Sequence, residues 1–321
     1  MPDTDTLARF RDRLQLPLIA APMFLVSGVE LVSAACRNGV IGAFPTVNCR
    51  SAEQLEAWLA AIEGRLHAFA DEQGRPAAPI CPNLIVHRSN ARLADDLAVL
   101  LRHRSEIVIT SVGSPAPVVQ PLHEAGCLVF ADVATIRHAE RALDAGADGL
   151  VLLTAGAGGQ TGWLNPFAFV RAVRGFFDGP IVLAGGISDG HALRAAEVLS
   201  CDLAYMGTKF IATRESMADE RHKAMLVASS ADDILLTTAF TGLQTNMLRP
   251  SIIAAGLDPD DLPARGAIEI GKDIDVAARE ARPKRWRDIW SAGHSTSGVT
   301  AVLSVEDLVA QTAAEYRAAK S

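Results

Sequence analysis

Aromatic side chains are scarce in this sequence, at 5% of 321 residues. Any large core must therefore be aliphatic and alanine-rich, and the 49% of hydrophobic residues is ample for one. No apolar run approaches the ~18 residues that suggest a membrane span. The opening stretch MPDTDTLARFRDRL is polar and lacks the apolar segment of a secretory signal. Positive charge is not in excess either. The formal net charge is −7, which argues against the basic surface that nucleic acid or an anionic membrane would select. The five cysteines, Cys36, Cys49, Cys81, Cys127 and Cys201, are scattered and odd in number, with no CxxC pair. They read as reduced small hydrophobes, not as a disulfide or zinc framework. The expectation is a cytoplasmic α/β protein with no metal site and no nucleic-acid or membrane partner.

What is present is alternation. Short apolar runs at Leu18–Ala21, Ile41–Phe44, Ile80–Val86, Ile107–Thr110, Leu128–Ala131, Gly149–Leu153, Ile181–Ala184 and Leu203–Met206 read as eight strands. Amphipathic segments at Val29–Asn38, from Ala52, and at Arg92–Arg104, Ala116–Ala125, Ile136–Ala145, Pro166–Phe177 and Asp189–Leu199 read as helices between them. Ser51 with Gln54 three positions on is a capping-box pattern at one helix start. Near-continuous apolar strands are buried on both faces, as in a parallel sheet covered by helices. Eight successive βα units favour a closed (β/α)8 barrel, with residues 1–215 as its core. Residues 216–321 are expected to supply the last barrel helix and an added, mostly helical lobe over the mouth. Residues 210–230 are expected to be helical, 237–247 are ambiguous, and 250–285 are read as turns with a charged helix. Barrels of this size often dimerise, so a homodimer is a possible assembly.

In such a barrel the loops after the strands carry the chemistry. After the seventh strand, Ala184-Gly185-Gly186-Ile187-Ser188-Asp189 leads into a helix, and after the eighth comes Met206-Gly207-Thr208. Glycines without Cβ let backbone N–H groups close on a phosphate, and a helix N-terminus favours its charge. Gly185 and Gly186 would otherwise simply make a tight turn. The sixth loop, Thr154 to Gly162, holds glycines at 156, 158, 159 and 162, suited to lying flat against a ligand or to moving. Ala21-Pro22-Met23 ends the first strand and Pro82-Asn83-Leu84 lies in the third, an apolar lip and an amide for a planar ring. Near the end of the chain, Trp290-Ser291-Ala292-Gly293-His294-Ser295 sets a histidine among small residues.

Taken together, APM after strand one, the asparagine of strand three, AGAGGQTG after strand six, LAGGI after seven, MGTKF after eight and IWSAG near the end resemble the nitronate monooxygenases. Flavin-dependent enoyl reductases share the same plan. The resemblance runs over residues 15–300. It implies FMN, with its phosphate on Gly185, Gly186, Gly207 and Thr208, beside Ala184 and Met206. It puts Ala21, Pro22 and Met23 beside the isoalloxazine, Asn83 at its polar edge, and Gly158 along the loop facing it. The implied reaction is oxidation of alkyl nitronates by O2 to a carbonyl compound and nitrite. An NAD(P)H-dependent reductase of quinones or activated alkenes, or a flavin-binding protein without catalysis, are the alternatives.

Two departures bear on the chemistry. The family's sixth loop usually carries a histidine base where this sequence has Gln160, and a neutral amide cannot take up a proton near pH 7. Gln160 can still donate a hydrogen bond to a nitro or carbonyl oxygen. Family members often carry a lysine near the flavin where this sequence has Asp132, an anion that would disfavour electron-rich flavin. Asp132 would otherwise cap the helix that follows. His294 is the first candidate for a relocated base and His87 the second. His103, His123, His138 and His222 fall on predicted helices or helix ends and are expected to face solvent.

Overall fold

The computed structural model describes residues 6–262 and 288–320. In chain order its strands are β1 (Leu18–Ala20), β2 (Ile41–Pro45), β3 (Ile80–Ile85), β4 (Ile107–Ser111), β5 (Leu128–Val133), β6 (Gly149–Leu153), β7 (Gly159–Gln160), β8 (Ile181–Ala184), β9 (Leu203–Met206), β10 (Ile234–Thr237) and β11 (Thr245–Leu248). All but β7, β10 and β11 form one closed parallel barrel, sealed where Leu18, Ile19 and Ala20 pair with Ala204, Tyr205 and Met206. The fold is thus a (β/α)8 barrel, and its eight strands are the eight apolar runs of the sequence.

Alternation along each strand divides the core into two layers. Ile19, Ile41, Ile107, Phe130, Val151 and Val182 fill the barrel itself, and Phe10 joins them with no exposed surface. Their neighbours Leu18, Ala20, Leu150, Leu152, Ile181 and Leu183 point outward and pack under the helices. Asp148 and Asp202, each just before a strand, tie the sheet edges. The Asp148 carboxylate accepts from Val129 N at 2.8 Å, and that of Asp202 from Ile181 N at 2.8 Å. Their own N–H groups donate to the carbonyls of the same two residues, which extends each ladder by one step.

The long helix Ala52–Gln73 starts as its sequence suggests, with one change. Ser51 Oγ accepts from Gln54 N at 3.3 Å, but the Gln54 side chain bonds Arg50 N rather than Ser51 N. Ser51→Ala is expected to cost ~1 kcal/mol, measured by urea denaturation; an unchanged midpoint would show that the Gln54–Arg50 bond carries the cap.

Beyond β9 the chain departs from expectation. Residues 210–230 are not one helix. A single turn, Thr208–Ile211, is followed by a bend and then the helix Glu220–Val227. In the bend, Thr213 Oγ1 bonds Phe210 O and Ser216 Oγ bonds Ile211 O, local bonds that compete with the helical ladder. The ambiguous 237–247 region forms an antiparallel hairpin, β10–β11, with β7 paired on its other edge. The charged helix expected within 250–285 falls mostly outside the described residues. The helix Val305–Ala318 packs against both Gly190–Val198 and Val29–Arg37. It therefore fills the eighth helical position, and the described parts of 208–303 form one long excursion between the last strand and the last helix.

Candidate active site

A cavity of about 270 Å3 opens at the C-terminal ends of the barrel strands. Its walls include Ala21, Pro22 and Met23 after β1, Asn83 on β3, Asp132 on β5, and Gly158 and Gln160 from the sixth loop. Ala184, Gly185 and Gly186 after β8 and Gly207 and Thr208 after β9 complete the set. Residues far apart in sequence thus border one space. Two expected members do not. Met206 packs into the outer layer under the helices and is 1% exposed, because its neighbour Tyr205 takes the inward face. His294 is exposed and absent from the lining; its ring lies across Gly156, where an added Cβ would stand 2.8 Å from Nδ1. His87 is also outside the cavity and bonds Ser89 Oγ.

The glycines have distinct reasons to be glycine. Gly185 has φ +124° and Gly186 φ +75°, a region other residues rarely adopt. A Cβ on Gly185 would stand 2.4 Å from Thr154 Oγ1, whereas one on Gly186 would meet nothing within 4 Å and project into open space. The helix that follows is already capped. Asp189 accepts from Ala192 N, and Glu315 from Gly190 N. The groups that could hold an anion here are accordingly the turn amides of Gly185 and Gly186 and the start of the Thr208 turn, rather than that helix N-terminus. Thr208 Oγ1 accepts from Gly293 N at 2.9 Å, which leaves its own proton to donate.

The sixth loop is pinned rather than loose. Thr161 Oγ1 donates to Thr154 O, Asn246 Nδ2 to Ala157 O, and His294 N to Gly156 O. A Cβ on Gly158 would stand 2.8 Å from Gly293 N, and one on Gly293 2.5 Å from Gly156 O. Bare backbones are needed where tail and loop cross. Gln160 is held by β7, paired with Thr245, while Thr241 and Leu243 of the hairpin loop border the same cavity.

Three side chains give the site its electrostatic character. Asp132 does not cap the following helix; Thr135 does, accepting from His138 N. Its Oδ1 is inaccessible and without a partner although the residue borders the cavity. Burial pushes its carboxyl up to about 7 against a hydrogen bond from Asn83. Ser111 Oγ in turn donates to Asn83 Oδ1 at 2.9 Å. Tyr205 borders the cavity with a buried, unpartnered hydroxyl, pushed well up by burial and then by Asp132.

His222 is the third. Expected to face solvent, it is 4% exposed and borders the cavity. Its ring stacks on Trp290 at 5.0 Å between centroids and bonds the Ser291 backbone, while Nε2 has no partner. Burial holds it down at about 4, so it is neutral at pH 7. His103 is also not solvent-facing in the simple sense, being bound by Glu56 and Glu63 and only 10% exposed. His123 and His138 are exposed as expected. Tyr205 carried a signal, a phenol in an otherwise apolar strand; His222 carried none, since its burial depends on Trp290, 68 positions away.

Among the described residues no helix is long and apolar enough to cross a membrane, and no cluster of His, Cys, Asp or Glu is arranged for a metal ion. Residues 11–315 match the family model described as nitronate monooxygenase. A nitronate monooxygenase of Paraburkholderia phytofirmans is 26% identical, covering 94% of this chain and 92% of the relative. Another, from Pseudomonas aeruginosa, is 28% identical over 71% of this chain and 75% of its own length. The solved structure of nitroalkane oxidase from Streptomyces ansochromogenes shares the fold with a TM-score of 0.80 at 24% identity, covering 98% of this chain and 99% of that one. The family model, spanning the barrel, the cavity loops and the returning tail together, shows that this chain belongs to the nitronate monooxygenase family of oxidoreductases.

Proposed function

We propose that this protein is an FMN-dependent oxidoreductase that oxidises alkyl nitronates with O2 to a carbonyl compound and nitrite. The observation that carries the reading is the company Gln160 keeps. It borders a cavity with a glycine phosphate cradle on one side, and with His222 too weak a base at neutral pH to take its family counterpart's role. Neither Gln160 nor His222 takes up a proton at pH 7, which suits a substrate that is already deprotonated.

The residues present fit FMN. Gly185 and Gly186 bring turn amides to the cavity wall, and Thr208 retains a hydroxyl donor. Pro22 and Met23 offer an apolar wall, and Asp132 Oδ1 and the Tyr205 hydroxyl are buried polar atoms that want partners. Bound there, FMN would supply an acceptor for the nitronate's electrons and a route for them to O2. The chain's own part is to hold the phosphate, to exclude water with the hairpin loop, and to donate from the Gln160 amide to a nitro oxygen. Burial raises the Asp132 carboxyl to about 7, which lessens its charge toward an anionic substrate.

Anaerobic stopped-flow mixing of the flavin-loaded protein tests this. Ethyl nitronate is expected to bleach the flavin. Neutral nitroethane should react at least ~10²-fold more slowly, the low end of what a missing general base costs. Bleaching by NADH or NADPH alone would reject the reading in favour of a reductase of quinones or activated alkenes. Bleaching by none of them would leave a flavin-binding protein.

A further inference from the structure

Four side chains meet at the inner rim of the barrel where β3, β4, β5 and β9 end: Asn83, Ser111, Asp132 and Tyr205, with Cys81 one layer below. Their bonding order is directional. Ser111 donates to Asn83 Oδ1 at 2.9 Å, which turns the Asn83 amide nitrogen toward Asp132. Asp132 keeps one inaccessible oxygen without a partner, and the Tyr205 hydroxyl is likewise unpaired. Both residues border the cavity. Among the described residues the influences on Asp132 are burial and the Asn83 bond, with no cation.

A carboxylate in that position has acceptor lone pairs only, and so do the ring carbonyls and ring nitrogens of an oxidised isoalloxazine apart from its single N–H. Two acceptors face to face in a dry site repel, whereas a carboxylic acid has an O–H to donate. Resting on the FMN reading above, we propose that Asp132 meets the bound flavin as an uncharged acid donating a hydrogen bond, so that flavin binding takes up a proton at alkaline pH.

The pH window follows from the groups that face Asp132. Its own carboxyl stands at about 7 before flavin arrives. Tyr205 and Cys81 are both held well above their ordinary values by burial, and so stay protonated through the range tested. His222, at about 4, stays neutral throughout. Below pH 7 the acid is already protonated and affinity should be flat. Above pH 7 binding must recruit a proton, and affinity should fall about tenfold per pH unit.

The test is titration of flavin-free protein with riboflavin, followed by flavin fluorescence from pH 5.5 to 9.0. Riboflavin has no phosphate, so ionisation at the phosphate cradle does not enter; FMN is the second probe. The wild type should lose about tenfold in affinity per pH unit above 7, and Asp132→Asn should show no such fall. Proton uptake near one per flavin at pH 8, from calorimetry in buffers of different ionisation enthalpy, checks the wild type without any variant. A flat wild-type profile with no proton uptake would overturn the proposal, as would the same slope in Asp132→Asn. Failure of both flavins to bind at any pH would instead overturn the FMN reading itself.

Discussion

Gly185→Ala is expected to purify with little or no flavin and to bind FMN at least ~100-fold more weakly than the wild type. Two effects combine. The residue has φ +124°, which an alanine adopts only under strain. Its Cβ would also stand 2.4 Å from Thr154 Oγ1 and 3.0 Å from Ala157 N. Thr154 cannot step aside cheaply, because it is fully buried and donates to Ala184 O at 2.7 Å. The turn must reshape, which re-aims the amides of Gly185 and Gly186. Losing two charge-assisted hydrogen bonds worth roughly 1.5–3 kcal/mol each accounts for a hundredfold or more. Fluorescence titration with FMN measures it, and wild-type affinity in the variant would show that the phosphate is held elsewhere.

Gly190→Ala tests the other end of the same loop and should be strongly destabilising. A Cβ there would stand 2.1 Å from Tyr316 N, 2.5 Å from Thr312 O and 2.6 Å from Glu315 C. All three contacts are to the backbone of Val305–Ala318, the helix that completes the barrel, so no rotamer change relieves them. The helix must move away from its seat on Gly190–Val198, which also strains the Gly190 N to Glu315 bond. A loss of about 3 kcal/mol is expected, read from urea denaturation of flavin-free protein. Gly64→Ala is the matched control. It lies within Ala52–Gln73 with nothing within 4 Å of its Cβ, and should stabilise by ~0.5–1 kcal/mol. Equal effects from the two would mean that the helices are not seated as described.

The barrel was legible from the sequence because its strands declare themselves. Runs such as Ile181–Ala184 are apolar throughout, and a parallel sheet buried on both faces requires that. The loops were legible for a related reason, since in a barrel all eight open on one end and their glycines fall at countable positions. The same property hid the inward faces. Where both sides of a strand are apolar, periodicity cannot say which side turns in, so Met206 was expected at the site and Tyr205 was not. The closure of β9 on β1 decides between them.

Family and barrel were therefore determined by the sequence alone, as was a neutral amide at Gln160. The tertiary structure alone decided that His222 is inside and His294 outside, that the eighth helix comes after the long excursion, and that burial raises the Asp132 carboxyl. Each of these depends on what packs against a residue from a distant part of the chain. Trp290 and the Ser291 backbone bury His222, and Thr154 and Ala157 crowd Gly185. Among the described residues, Asn83 and the barrel interior surround Asp132 without a cation. Local sequence sets which groups are available, but their charge and reach are set by burial, and burial exists only once the barrel has closed.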